Sequence, residues 1–412
     1  MTTFTATPRL SPRLSQGPLS RVAPTYAALL SEQGYTERSS ENHLFLLANL
    51  NQWLHRRHLQ ITDLTERTVH RYLQYRHLRF RSLREVKSIL RKLLRLLEDE
   101  GLLKAKAPPS HDNLHQRVED DYDRYLSEER GLAMVTRINY CHFIHRFLSA
   151  RFTNKPLCLT VLRAKDIVRF VQNEAPHHSL KRAGLMVTAL RSFLHYLRQR
   201  GDVTTDLAAC VPSIANWQFA SLPKFLQPHQ VQQVLQQCDR RTSNGRRNYA
   251  ILLLLARLGL RAGEVVALTL DDISWRLGEI TIHGKGNRST RLPLPPDVGG
   301  AIAAYLKNGR PPCSTRRVFL CLRAPRRAFA NSEAISTIVA RLLRSAGIDS
   351  PYTGAHLFRH TLATQMLRQG ASFAEIAHVL QHQSFNTTAL YAKVDLSALR
   401  GLAQRWPEGG AQ

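Results

Sequence analysis

Three features of this 412-residue sequence predict a mainly α-helical chain with one small antiparallel β-sheet. Leucines recur at helical spacing through the first half, as in Leu44, Leu47, Leu50 and Leu54. The same kind of pattern starts again after a Pro-containing break. Alternating, β-rich segments occur only beyond residue 260, and two of them flank a Gly-rich turn.

In chain order, residues 1–20 read as a disordered leader. Residues 21–105 form a first helical block, with helices around Leu44–Leu54, Thr65–Tyr75 and Leu83–Leu97. The last of these presents Leu83, Val86, Leu90, Leu93 and Leu97 on one face, and Gly101 stops it. Residues 104–110 form a linker. A second helical block covers 115–205. Its helix Thr136–Ala150 presents Ile138, Cys141, Ile144 and Leu148, and further helices run Ala164–Asn173 and Leu180–Arg200 before Gly201. The blocks align: Leu59-Gln-Ile-Thr-Asp-Leu-Thr matches Leu157-Cys-Leu-Thr-Val-Leu-Arg at an offset of 98, and Gly101 matches Gly201. They read as two related small helical domains. A linker at 206–226 leads into a mixed α/β region at 227–412. Its expected helices are Gln230–Cys238, Gly245–Leu258, Ala301–Lys307, Ser332–Ser345, His356–Gly370, Phe373–Leu380 and Thr387–Tyr391. Its expected strands are Val266–Ile273, Glu279–His283 and Ser289–Leu294, the last two joined through Gly284–Arg288 as a hairpin.

Composition narrows the function. Lys plus Arg number 58 against 31 acids, a formal charge of +27, and 47 of the 58 are Arg. Such a surplus repels itself unless a polyanion neutralises it, and the planar guanidinium fork suits phosphate. Nucleic acid is the leading partner and an anionic membrane surface the second. No apolar run approaches the ~20 residues of a membrane span. The six Cys lack CxxC or disulfide-framework spacing and look like core residues of a reduced, intracellular protein. The sequence has no GxSxG elbow, no Walker A loop, no HExxH and no carboxylate cluster of the two-metal kind. Phosphate chemistry here would run on the protein's own cations, with no metal and no cofactor.

Candidate cations are present. Arg261 follows an apolar helix in Leu258-Gly-Leu-Arg-Ala-Gly-Glu264. Lys285 is at the hairpin tip, and His356 and Arg359 share a helix face at i, i+3. His382 lies in Leu380-Gln-His-Gln-Ser-Phe, and Tyr391 follows nine residues later. Singly, each is an ordinary surface or packing residue; their order and spacing as a set carry the signal.

His356-Leu-Phe-Arg359-His-Thr-Leu-Ala-Thr, followed by Gly370-Ala-Ser-Phe-Ala-Glu-Ile-Ala-His-Val-Leu-Gln-His382 and Tyr391, resembles the tyrosine recombinase (phage integrase) family. That family includes Xer-type resolvases and integrases of mobile elements. The likeness covers about 115–400, and over 227–400 all six positions agree in order and spacing. Residues 115–205 resemble the family's SAM-like core-binding domain, residues 227–412 its α+β catalytic domain, and 21–105 an additional DNA-binding arm of the same helical type. The family usually has Gly where this chain has Gln381, a change expected to tilt His382.

The resemblance implies a site-specific recombinase of a mobile element. Tyr391 would attack a phosphodiester to form a 3′-phosphotyrosyl link, Arg261 and Arg359 would clamp the phosphate, and Lys285 would protonate the leaving 5′-oxygen. His356 would assist proton transfer and His382 would bind the phosphate. Glu264 would orient Arg261 or simply face solvent. It further implies duplex DNA with specific sites as partner, with contacts expected from Lys181, Arg182, Arg191, Lys224 and Arg288. A homotetramer at synapsis, possibly with related recombinases, and a cytoplasmic, nucleoid-associated location in a bacterium also follow. The tail residues Leu396, Leu399, Leu402 and Trp406 would dock on a neighbouring subunit or on their own domain. A type IB topoisomerase and a decayed DNA-binding regulator are the alternatives.

Overall fold

The computed structural model describes residues 11–77, 83–103, 114–153, 156–215, 224–284, 289–350, 354–381 and 388. The chain divides into two compact units, one made of Met1–Leu103 with Ser221–Gln412 and the other of Lys104–Ala220. No described helix is long and apolar enough to cross a membrane.

The first block consists of α1 (Ser11–Ser15), α2 (Ala23–Glu32), α3 (Glu37–His55), α4 (Glu66–His77) and α5 (Leu83–Asp99). Leu44, Leu47, Leu50 and Leu54 of α3 bury against Val86, Leu90, Leu93 and Leu97 of α5, with Tyr26, Leu30 and Tyr72 closing the core. The expected leader is shorter than predicted, because the chain is already folded from residue 11. Leu14 and Leu19 are buried. Asn51, fully buried, receives the Leu19 N–H at 2.8 Å and donates to the carbonyls of Arg13 (3.0 Å) and Gln16 (2.7 Å). A single side chain thus satisfies three backbone groups that its own helix cannot reach. The hydropathy pattern gave no sign of this, because the device is one amide. Within this unit the α2–α3 turn also touches the C-terminal region, where the Arg326 N–H donates to the Gln33 carbonyl at 2.9 Å.

The second unit holds α6 (Leu114–Glu128), α7 (Met134–Arg151), α8 (Ala164–Glu174) and α9 (Leu180–Arg200). Its core is aromatic, with Tyr122, Phe143, Phe147 and Phe193 fully buried beside Ile144, Leu148, Ile167 and Leu190. Ile138, expected on the apolar face of α7, is instead 58% exposed: the packed face is formed by the larger aromatic side chains Tyr140, Phe143 and Phe147 with Ile144 and Leu148. The expected 206–226 linker also begins later, because Leu207, Ala208 and Val211 pack into this core.

The two helical assemblies share an element order. The 3-10 turn Ile61–Asp63 matches Leu159–Val161, α4 matches α8 and α5 matches α9, at offsets close to that of the sequence alignment. Gly101 (φ 69°) and Gly201 (φ 82°) both end their helices in the left-handed conformation that glycine accepts without cost.

The C-terminal region is built around α11 (Ser243–Arg257). Ala250 to Leu255 are all buried, so this helix is apolar all round and sits in the middle of its domain. Around it lie α10 (Pro228–Gln236), α12 (Ala262–Ala267), α13 (Pro296–Asn308), α14 (Glu333–Ser345), α15 (His356–Arg368) and α16 (Phe373–Val379). Strands β1 (Ile273–Ser274), β2 (Glu279–His283) and β3 (Ser289–Pro293) form an antiparallel sheet in the order β1-β2-β3, with Ile280 opposite Ile273 and Leu292. Ile280, Ile282 and Leu292 point into the core.

Val266–Ile273, expected as a strand, is mostly not one. Glu264 accepts the Arg261 N–H at 2.7 Å and starts α12, which carries the valines. Asp272 then accepts from the Thr269 N–H at 2.8 Å and closes a 3-10 turn at Leu270–Asp272, leaving two residues to pair as β1. Local capping here overrides β-propensity.

Replacing Asn51 by Ala strands one buried and two part-buried backbone groups and is expected to cost about 1–3 kcal/mol. The expected result is a lower denaturant midpoint for the first unfolding step of the full chain and faster protease cutting in residues 11–20. An unaltered midpoint and cutting rate would refute this account of the leader.

Candidate active site

Gly259, at the end of α11, has a φ of 60°, and a Cβ there would lie 2.6 Å from a Leu380 methyl. The glycine therefore allows the α11–α12 turn to approach the end of α16. Two arginines meet at that approach.

Arg359 lies in the first turn of α15 and is 5% exposed. It donates to the Gly259 carbonyl at 2.7 Å and to the Leu380 carbonyl. Arg261 caps α12, and its side chain is about one-third exposed. It donates to Glu264 Oε1 at 2.7 Å and to the Gln381 carbonyl at 3.3 Å. Two guanidinium groups are thus held on consecutive carbonyls of the turn that leads into His382. Carbonyl oxygens orient a cation without cancelling its charge, and among the described residues Glu264 is the carboxylate paired with Arg261. An anion arriving there would meet net positive charge in fixed geometry.

Glu264 is buried, accepts both the backbone and the side chain of Arg261, and so does not simply face solvent. Gln381 itself has a φ of 51°, in the region where glycine is favoured. The glutamine adopts the glycine-like backbone at a cost of roughly 1 kcal/mol, and its carbonyl still reaches Arg261. His356 opens α15 one turn before Arg359 and is exposed, with its ring 6.4 Å from that of His360. Farther back, Thr361 on the same helix accepts the Leu226 N–H at 2.9 Å and ties the entry of the domain to α15.

Lys285, His382 and Tyr391 lie outside the described residues, as do Arg288 and the tail residues Leu396, Leu399, Leu402 and Trp406. The base of the hairpin that carries Lys285 is described. His283, the last residue of β2, meets Asp272 Oδ1 at 2.8 Å. Burial pushes the Asp272 carboxyl up, but hydrogen bonds from Thr269 and His283 outweigh it and hold the carboxyl below its ordinary range.

Among the residues expected on DNA, Lys181, Arg182 and Lys224 are exposed. Arg191 donates to the Val211 carbonyl and to Ser213, both at 2.9 Å, and so staples the chain after α9 to that helix. Arg198 and Arg200 are likewise engaged, with Asp206 (3.1 Å) and Asp202 (2.8 Å). Sequence reasoning missed the carbonyls of Gly259, Leu380 and Gln381. The signal available for them was the Gly beside Arg261 and the departure at Gln381.

Comparison with known proteins identifies the family. Residues 224–397 match the model of the phage integrase family, and residues 120–201 match the phage integrase N-terminal SAM-like domain. The relative named integrase/recombinase y4rA from Sinorhizobium fredii (strain NBRC 101917 / NGR234) is 43% identical over 402 residues, 97% of this chain and 97% of its own. The tyrosine recombinase XerD of Listeria innocua serovar 6a is 29% identical over 292 residues, 70% of this chain and 97% of its own. A solved structure of the XerH site-specific recombinase, bound to a palindromic difH substrate in a post-cleavage complex, superimposes with a TM-score of 0.56 at 18% identity. It covers 82% of this chain and 94% of its own, and shares the fold. The chain belongs to the phage integrase family and is a tyrosine recombinase, an enzyme that cleaves and rejoins DNA.

Proposed function

We propose that Tyr391 is the nucleophile of site-specific recombination and that Arg261, Lys285, His356, Arg359 and His382 act with it on one phosphodiester. The observation that carries this reading is the anchoring of Arg261 and Arg359 on consecutive carbonyls of the turn that runs into His382. The Tyr391 hydroxyl oxygen forms a bond to phosphorus, and the bond to the 5′-oxygen breaks. His356 accepts the phenol proton, and Lys285 gives a proton to the departing 5′-oxygen. The DNA is held as a 3′-phosphotyrosyl ester, which conserves the bond for religation to another strand without ATP. A phenol, with an ordinary pKa near about 10, is also a better leaving group than an alkyl hydroxyl when the 5′-oxygen returns.

Charge gathers on the non-bridging oxygens as the attack proceeds. Arg261 and Arg359 meet that charge from positions fixed beforehand, so little reorganisation is needed. Glu264 is a positioning residue for Arg261, and His382 donates to the phosphate.

The recombination unit is a tetramer on two duplexes of specific sequence, the reading supported by relatives solved as a dimer on a core site and as a tetramer on a Holliday junction. The first helical block, at about 21–105, is a DNA-binding arm that extends the footprint of the core-binding domain at 115–205. Its helical order, repeated in that domain, supports this role. Exposed Lys181, Arg182 and Lys224 contribute phosphate contacts.

A nicked suicide duplex carrying the element's end sequence tests the chemistry. The wild-type chain is expected to give an SDS-stable protein–DNA adduct and Tyr391→Phe none, while Tyr391→Phe still binds the duplex. An adduct that persists in Tyr391→Phe would remove the nucleophile from this scheme. Arg261→Ala and Arg359→Ala are each expected to slow adduct formation by about 10²–10³ in single-turnover assays; losses within a few-fold would dismiss the clamp. Deleting residues 1–110 is expected to shorten the nuclease-protected footprint, and an unchanged footprint would dismiss the arm.

A further inference from the structure

A group of cations on the second unit has no part in the chemistry above. It gathers around the buried Phe143 of α7. The Arg182 guanidinium from the start of α9 stands 5.3 Å over that ring. His178, just ahead of α9, meets it edge-on at 5.7 Å, and the exposed His142 lies beside it at 5.6 Å. Arg146, one turn beyond His142, adds another cation.

The acid that faces this group is Glu174, at the end of α8. It lies 2.9 Å from Arg146 and 3.7 Å from His178. His145, on the outer side of α7, pairs with Glu119 of α6 at 2.9 Å. His142 therefore faces Arg146 and His145 on its own helix, His178 before α9 and Arg182 on α9, with Glu174 already engaged. Partial burial, then the charges of Arg182 and Arg146 and the two neighbouring histidines, hold the His142 ring below its ordinary pKa.

We propose that this face of α7 and α9 is a phosphate contact for duplex DNA gated by His142, whose ring takes up a proton as the duplex binds. The proposal rests on the reading that this helical domain binds DNA and adds a regulatory property to it. Without DNA, four nearby groups that are or can become cationic oppose a further charge on His142. A phosphate placed between His142 and Arg182 reverses that balance, so the ring's pKa rises in the complex. A group that binds its proton more tightly in one state favours that state as pH falls. Affinity for DNA therefore increases as pH drops through the pKa of the complex and levels off below that of the free chain. Because the contact is with the backbone, the effect is independent of DNA sequence.

The test uses the full chain and a fluorescein-labelled duplex of arbitrary sequence, with Kd read by anisotropy at about pH 6 and about pH 8 and constant ionic strength. Uptake of one proton contributes up to about tenfold in Kd per pH unit. The wild type is expected to bind more tightly at the lower pH. His142→Gln is expected to lose about fivefold to tenfold of that pH ratio. His142→Lys, which carries its charge at both pH values, is expected to lose the same part of the ratio while binding tightly at the higher pH. A His142→Gln chain with the wild-type ratio would overturn the gate, since the other histidines would then account for it. Failure of the wild type to bind this duplex at either pH would instead count against DNA binding itself.

Discussion

The approach of the α11–α12 turn to the end of α16 is the constraint on which the proposed active site depends. Gly259 permits it, because any side chain there would run into Leu380. Once the two segments meet, the Gly259 and Leu380 carbonyls bind the Arg359 guanidinium, and the next carbonyl binds Arg261. Arg359 is almost wholly buried, where a cation without polar partners would cost several kcal/mol. The two carbonyls accept N–H donors of this guanidinium without carrying a charge that would cancel its own. A carboxylate in their position would have neutralised the site, and among the described residues the carboxylate at the knot, Glu264, is bound to the more exposed arginine.

The same choice recurs on a larger scale. The two helical assemblies are amphipathic bundles with the same order of elements. The structure separates the 58 bases into classes that composition cannot distinguish. Arg191 and Arg247 hold backbone carbonyls and amides. Arg198 and Arg200 pair with neighbouring acids. Lys181, Arg182 and Lys224 remain at the surface. Burial depresses the pKa of Arg247, which lies against Phe329 and has no acid among its described hydrogen-bond partners, so its charge serves the domain core.

The Gln381 position shows how much of a motif is backbone. The family pattern has Gly there, and the expected effect of Gln was a tilt of the following histidine. What the residue must supply is a left-handed turn and a carbonyl, and Gln381 supplies both. The side-chain identity matters less than the dihedral angle, so a substitution that looks disruptive in sequence leaves the Arg261 contact in place.

By its own pattern the sequence determined the helices with a clean apolar stripe, the strands Glu279–His283 and Ser289–Pro293, the repeat between the two helical assemblies, and the family itself through the ordered set ending in His382 and Tyr391. Periodicity and spacing are local properties, and helices such as Leu180–Arg200 form wherever their face can be buried. Only the tertiary structure decided which polar groups meet. The Asn51 amide that pins residues 13–19, the capping that turned Val266 into helix, the exposure of Ile138 and the carbonyls that hold Arg261 and Arg359 all join segments or caps that periodicity does not encode. Hydrogen bonds at a few ångströms are set by how the elements pack, and one Asn or Gly carries too little pattern to announce them in advance.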